Sequence, residues 1–105
     1  MAHTGEMIDN PVTHDRVIFR VTAQDTQGAV LEFDDFLLAG YVSPPEHVHP
    51  RQQEHFEVIS GALGVRIAGR NQVLNAGESV AVPPGTPHTI WSAGEGETHV
   101  LVEFR

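Results

Sequence analysis

Turn signals interrupt this chain at short intervals along its length. Glycine and proline, often beside asparagine or serine, mark turns at Asn10-Pro11, Ser43-Pro44-Pro45, Ser60-Gly61, Gly69-Arg70-Asn71, Asn75-Ala76-Gly77 and Pro83-Pro84-Gly85. The segments between these turns are rich in valine, isoleucine and phenylalanine, and none sustains the period of an amphipathic helix. The pattern therefore predicts many short β-strands joined by tight turns.

Alternation within two segments predicts which side chains face the core. In residues 54–59 and 63–67, the inward set comprises Glu54, Phe56, Val58, Leu63, Val65 and Ile67. In residues 29–38, Asp34-Asp35 breaks the alternation and predicts a β-bulge. Edge strands of a purely β chain have unpaired backbone groups that can pair with other chains. Packing two sheets together or closing one sheet into a barrel protects these edges. We predict an all-β jelly-roll barrel (a double-stranded β-helix) as a single domain over residues 11–105, preceded by a flexible arm at residues 1–10.

The charge and composition of the chain exclude some classes of partner. Its formal net charge is −8 at pH 7, and its six basic residues are all arginine, so neither nucleic acid nor a membrane is an expected partner. The absence of cysteine excludes disulfides and thiolate ligands. No apolar run could span a bilayer, and residues 1–10 lack the features of a signal peptide. We expect a cytoplasmic protein that binds a small molecule.

Four residues are spaced as ligands of one metal ion. His47 and His49 alternate on an extended segment, so both imidazoles leave the same face. Glu54 begins a strand whose same-face neighbours are apolar, a costly position for a charge unless it is paired or bound to metal. His88 begins a second strand of this kind, next to Ile90. Because imidazole and carboxylate are the ligands that a divalent transition metal takes without thiols, we predict one metal site here.

The same residues carry a family resemblance. The first stretch reads His-x-His, four residues, Glu, six residues, Gly, at His47, His49, Glu54 and Gly61. The second reads Gly, five residues, Pro, one residue, Gly, two residues, His, at Gly77, Pro83, Gly85 and His88. In this order, separated by residues 62–76, they resemble the two motifs of the cupin superfamily. Ser92 departs from the family pattern, which often has asparagine there, but this is not a ligand position.

The resemblance implies a small conical β-barrel that binds one divalent metal through three histidines and a glutamate. Three neutral imidazoles and one carboxylate leave a net charge near +1 with a divalent ion. Four protein ligands around a six-coordinate ion leave two positions open, as catalytic rather than structural sites do. Nitrogen and oxygen ligands suit Mn, Fe, Co, Ni, Cu or Zn, and the sequence does not choose among them.

The resemblance also suggests an activity. We expect a dioxygenase-like oxidoreductase acting on a small organic molecule, with Glu54 as a ligand that could also act as a base. Phe56 and Ile90, inward by alternation, are expected to line the pocket. Two alternatives stay open: a non-redox isomerase, cyclase or decarboxylase that uses the metal as a Lewis acid, and a non-enzymatic barrel that binds a small ligand.

The remaining candidates have weaker signals. Trp91 points away from His88 and Ile90, and an outward tryptophan on a barrel is often a subunit contact. Because the small cupins that this chain resembles are often dimers, we predict a homodimer. His99 in the last strand and Arg51 between the ligands are expected to be packed or solvated rather than to take part in chemistry. The other three histidines, His3, His14 and His55, are expected on the surface or in the arm.

Overall fold

The computed structural model of this chain describes residues 7–10, 15–21, 31–41 and 46–105. Its strands are β1 (Met7–Asn10), β2 (Asp15–Val21), β3 (Leu31–Leu37), β4 (Glu54–Ser60), β5 (Ala62–Ile67), β6 (Arg70–Asn75), β7 (Ser79–Val82), β8 (His88–Ser92) and β9 (Thr98–Phe104). Across the described ranges there is no helix. Accordingly, no helix with the length and apolar character of a membrane span is found in them.

The strands form two antiparallel sheets, which confirms the expected all-β jelly roll. One sheet has six strands in the order β1-β2-β3-β9-β4-β7, and the other has three in the order β6-β5-β8. Neighbours in the sheets are often far apart in sequence, as when the C-terminal strand β9 lies between β3 and β4. Consecutive hairpins alone would not produce this order, so the long connections define the topology.

The register of β3 corrects one expectation. Pairing with β9 is continuous through Asp34↔Leu101 and Asp35↔Val100, so the predicted bulge at Asp34-Asp35 is wrong. Each aspartate keeps its place in the alternation: Asp34 shares the outer face with His99, while Asp35 shares the inner face with Val100. Among the described strands, the register shifts lie instead between residues 19 and 21 of β2 and between residues 58 and 60 of β4.

The N-terminal region also differs from the expected flexible arm at residues 1–10. Residues 7–10 form β1, which pairs with β2 from Met7↔Ile18 to Asn10↔Asp15. Backbone pairing with a neighbouring strand is available to any polar segment, so composition alone does not set this boundary. Residues 1–6 lie outside the described ranges.

The core lies between the inner faces of the two sheets. Its buried apolar residues are Leu37, Tyr41, Phe56, Val58, Leu63, Val65, Leu74, Val82, Ile90, Val100 and Val102. The alternation predicted in the sequence is confirmed, since Phe56 and Val58 of β4 and Leu63 and Val65 of β5 are all buried. Each such side chain contributes about 1.5–3 kcal/mol to folding when it leaves water. Phe56 connects this core to the residues described next, because its ring centroid lies 6.4 Å from that of His88.

Candidate metal centre

The His-x-His segment precedes β4 and is held against the start of β8. The His47 amide donates to the His88 carbonyl at 3.0 Å, and the His88 amide donates to the His47 carbonyl at 3.1 Å. The Gly85 amide donates to the His49 carbonyl at 2.9 Å. Val48 is 47% exposed and points away, so the two imidazoles lie on one side with ring centroids 5.2 Å apart. The predicted extended geometry is confirmed.

Glu54 and His88 enter the same space from the first residues of two strands. Glu54 begins β4 in the six-stranded sheet and is 5% exposed, while His88 begins β8 in the three-stranded sheet and is 1% exposed. Their side chains meet, with His88 Nε2 2.6 Å from Glu54 Oε1. The centre therefore joins the two sheets at one end of the barrel.

All four predicted ligands converge. One ligand atom from each of the residues His47, His49, Glu54 and His88 can be chosen so that all four lie within 4.8 Å of one another. Metal–nitrogen and metal–oxygen bonds of about 2.1 Å place ligands on opposite sides of an ion about 4.2 Å apart. A small inward movement of the side chains would therefore bring the four atoms to bonding distance of a common centre.

Hydrogen bonding prepares His88 to accept a cation. Its Nδ1 lies 2.9 Å from the Thr86 carbonyl, which can only accept, so Nδ1 carries the hydrogen. In the neutral ring, Nε2 is then an acceptor, and it faces an oxygen of Glu54 that is also an acceptor when ionised. A proton or a cation is needed between two such groups. Bonds of this kind from the non-ligating nitrogen are usual for histidines that bind metal.

His49 supplies an independent sign that the centre fits a metal. Its Nε2 is buried and forms no hydrogen bond, although it lies 3.4 Å from Glu54 Oε1. A buried ring nitrogen without a partner is costly in a folded protein. A cation shared with Glu54 and His88 would satisfy it, so the donor set present here fits a divalent ion.

Burial sets the protonation of the one acidic ligand. Desolvation raises the pKa of the Glu54 carboxyl above its ordinary value of 4.5, and the hydrogen bond and charge of His88, followed by the charge of His49, oppose that rise. Ionisation of this carboxyl group is therefore unfavourable unless a positive partner lies beside it.

The walls of the centre are aromatic and aliphatic. Phe56, predicted to line the pocket, is buried with its ring centroid 6.4 Å from that of His88. Ile90, the other predicted lining residue, is buried in the core one inward position beyond His88. Phe104 was not predicted, yet its ring centroid lies 4.9 Å from that of His49. Alternation in β9, where Phe104 shares a face with Val100 and Val102, was the signal that could have identified it.

His99 and Trp91 lie away from the ligands. His99 Nε2 is 2.6 Å from Asp34 Oδ1 on the outer face of the large sheet, and its ring stacks on Phe36 with centroids 4.2 Å apart. This supports the packed role expected for His99. Trp91 points outward from β8 as predicted, and it covers Gly64 on the neighbouring strand β5.

The other singled-out residues contribute little to the site. Arg51 is exposed in the segment between His49 and Glu54. His55 pairs across strands with Ala81 and Glu103 on the outer face, opposite to Glu54. His3 and His14 lie outside the described residues.

Comparison with known sequences identifies relatives of this chain. The family model described as Cupin domain matches residues 36–104. An oxidoreductase of Arthrobotrys oligospora is 33% identical over 94 residues, covering 78% of this chain and 37% of the relative. Oxalate oxidase 1 of Hordeum vulgare is 32% identical over 88 residues, covering 76% of this chain and 43% of the relative. The chain thus spans less than half the length of these curated relatives.

Solved structures show the same fold. A structure of oxalate oxidase superposes with a TM-score of 0.74 and 26% identity, over 90% of this chain and 52% of that one. A predicted oxalate decarboxylase of Thermotoga maritima superposes with a TM-score of 0.82 and 19% identity, over 96% of this chain and 90% of that one. At 19% identity, the second likeness concerns the fold alone.

Proposed function

Because this chain belongs to the cupin family, we propose that it is a metal-dependent oxidoreductase that oxidises a small organic molecule with dioxygen. The observation that carries the proposal is the convergence of three imidazoles and one carboxylate within 4.8 Å, where Glu54 and His88 are buried, His49 is half-buried and His47 is exposed. Four protein ligands leave a six-coordinate ion two open positions, which a closed structural site would not need. The proposal covers the reaction class and leaves the metal unspecified.

The names of related proteins support an oxidoreductase over the alternatives. The Arthrobotrys oligospora relative is named an oxidoreductase, and the Hordeum vulgare relative is named an oxalate oxidase. A further structure at 26% identity is described as oxalate oxidase in complex with the substrate analogue glycolate. These names suggest small organic acids as the first compounds to test on this chain.

Within the proposed mechanism, the residues of the chain hold ligands and protons in defined places. A bound divalent ion would supply Lewis-acid and redox chemistry. The Thr86 carbonyl fixes the tautomer of His88, and the buried ring of Phe56, beside His88, would exclude water from the inner side of the site. Glu54, whose pKa is raised by burial, would help to hold the ion and would also be placed to accept a substrate proton.

Elemental analysis is the first test. Protein purified without added metal should carry close to one equivalent of a divalent transition metal per chain, and a chelator should remove it. Protein that stays metal-free after incubation with Mn, Fe, Co, Ni, Cu and Zn in turn would contradict the proposed function.

Oxygen uptake is the second test. Metal-loaded protein should consume oxygen with at least one compound from a panel of small organic acids, enols, flavonols and thiols, and chelator-treated protein should not. Turnover that persists without oxygen would favour an isomerase, cyclase or decarboxylase. Tight binding of a panel compound without any turnover would favour a ligand-binding barrel.

A further inference from the structure

Three residues lie opposite one another across the three-stranded sheet and form what we call a rung. A proposed metal ligand stands on one edge strand of this rung and an arginine on the other. His88 of β8 pairs with Ile67 of β5, and Ile67 pairs with Arg70 of β6. Residues directly opposite each other in antiparallel strands project to the same face. With strands about 4.8 Å apart, the backbones of His88 and Arg70 are roughly 10 Å apart across the rung.

The face on which these three side chains lie is the inner one. Val65 and Ile90, which form the next inward rung with Gln72, are buried in the core. The opposite face is identified independently by Arg66, whose Nε donates to Asn71 Oδ1 at 2.7 Å. Arg66 also lies 3.8 Å from a carboxylate oxygen of Glu46. Arg66 and Arg70, both in the β5–β6 hairpin, therefore project from opposite faces of the three-stranded sheet.

The tip of the hairpin borders an open cavity, and Arg70 there is exposed. This cavity of about 740 Å³ is lined by Ile67, Ala68, Arg70, Asn71 and Gln72, of which Ile67, Arg70 and Gln72 belong to the inner face. Unlike Arg66, Arg70 forms no ion pair or side-chain hydrogen bond with any described residue. An exposed guanidinium beside an open cavity can bind a carboxylate through two parallel hydrogen bonds.

We propose that Arg70 determines substrate specificity by binding a carboxylate at the far end of the substrate. The inference rests on the proposed function, because the near end of the substrate would occupy the metal centre. Ile67 lies between the two and offers an apolar surface to the middle of the molecule. The substrate class is therefore a short organic acid with a chelating head, an apolar spacer and an anionic tail. The chain as a whole carries a net charge of −8, so a local cation is required to attract such an anion.

Two probes that differ only in the tail test this inference. 2-Hydroxyglutarate and 2-hydroxyvalerate share a five-carbon chain and a chelating 2-hydroxy acid head, and only the first has a second carboxylate. Their affinities for Mn²⁺-loaded protein are measured by calorimetry, in wild type and in the variants Arg70→Gln, Arg70→Lys and Arg66→Gln. Metal content and circular dichroism are measured on each protein.

Wild type should bind 2-hydroxyglutarate about tenfold to a hundredfold more tightly than 2-hydroxyvalerate, as expected for a charge-assisted hydrogen bond. Arg70→Gln should abolish this preference while affinity for 2-hydroxyvalerate and metal content stay unchanged. Arg70→Lys should keep part of this preference, because the positive charge remains. The rest should be lost, because lysine lacks the planar guanidinium that forms two parallel hydrogen bonds. Arg66→Gln removes the same charge from the other face of the hairpin and should keep the full preference.

Three outcomes would overturn the inference while the metal centre stands. The first is that wild type binds the two probes with equal affinity. The second is that Arg70→Gln keeps the wild-type preference for 2-hydroxyglutarate. The third is that Arg66→Gln loses this preference as fully as Arg70→Gln does. Wild-type protein that holds no metal would instead overturn the proposed function, and this inference with it.

Discussion

Glu54 is the residue at which the core of the barrel and the proposed chemistry meet. It occupies a core-facing position of β4, in line with Phe56 and Val58, where an ionised carboxylate without a partner is unfavourable. His88 and His49 face it at 2.6 Å and 3.4 Å. Either a proton or a cation must neutralise this group, so metal loading and pH should affect the same carboxyl.

The raised pKa of Glu54 predicts how the stability of metal-free protein depends on pH. Since the folded chain keeps this proton to a higher pH than the unfolded chain does, the free energy of unfolding should fall as pH rises from 4.5 through the folded-state pKa. Glu54→Gln removes this titration and should flatten that part of the profile. Urea unfolding in the presence of a chelator, repeated across this pH range, measures the effect.

The matched control for this prediction is Glu57→Gln. Glu57 lies on the same strand and on its outer face, where it pairs with Leu101 and Ser79. This variant should keep the wild-type slope. A Glu54→Gln profile that falls as steeply as wild type would show that Glu54 is not the group responsible.

A second prediction at the scale of one residue concerns the contribution of His88 to metal binding. Replacing His88 by Ala removes a buried ligand and should weaken metal binding by at least about a hundredfold, because even residues behind metal ligands cost 10–100-fold. His55→Ala, on the outer face of β4, should bind metal as wild type does. Metal content after gel filtration measures both, and wild-type content in His88→Ala would exclude His88 from the ligand set.

At the scale of elements, the pairing of β5 with β8 depends on the absence of a side chain at Gly64. Gly64 lies directly opposite Trp91, and a Cβ built on it would be 2.0 Å from Trp91 Cε2 and 2.1 Å from Trp91 Nε1. The indole therefore lies flat against the backbone of β5 on the outer face. This contact fixes the outer surface of β8, while His88 on the inner face of the same strand serves the metal centre.

Gly64→Ala should displace the indole from the sheet. The cost should be about 1–3 kcal/mol, typical of overpacking, and the emission of the single tryptophan should shift to the red as the ring enters water. Metal content should not change, because the inner face of β8 is untouched. Gly96→Ala, where an added Cβ meets nothing within 4 Å, is the control. Unchanged emission in Gly64→Ala would contradict the predicted contact.

At the scale of the whole molecule, the metal centre is a link between the two sheets. Glu54 comes from the six-stranded sheet, His88 from the three-stranded sheet, and the His-x-His segment is hydrogen-bonded to β8 while it leads into β4. A ligand that binds the folded state alone stabilises it by mass action. Metal should therefore stabilise the entire domain and not only its local surroundings.

Thermal unfolding measures this coupling. At a free metal concentration one hundred times Kd, the gain is about 2.7 kcal/mol, which corresponds to a rise in Tm of roughly 10–20 °C for a domain of this size. His88→Ala should show almost no rise under the same conditions. An equal rise in wild type and variant would mean that the metal binds elsewhere.

The homodimer stays a prediction at this scale. On the outer face of the small sheet, Val73 is 53% exposed and is paired with Gly64, beside Trp91. Light scattering of the purified protein should give twice the chain mass of 11.5 kDa. A mass of one chain at micromolar concentration would contradict the prediction.

The sequence alone determined what depends on local geometry. Because side chains alternate along any strand, it placed Phe56 and Val58 in the core and Glu54 on their face, and it placed Trp91 opposite to His88. The two motifs identified His47, His49, Glu54 and His88 through their resemblance to those of the cupin family, which is carried by residue types at fixed spacings. These inferences require no knowledge of which strands are neighbours.

Only the tertiary structure decided what depends on the pairing of distant strands. The register of β3 with β9 removed the expected bulge at Asp34-Asp35 and brought Asp34 to His99, 65 residues away in sequence. The rung from His88 through Ile67 to Arg70, and the contact of Phe104 with His49, likewise follow from strand order and register. The physical reason is that strand order and register are chosen by burial summed over the whole core, and no short segment contains that information.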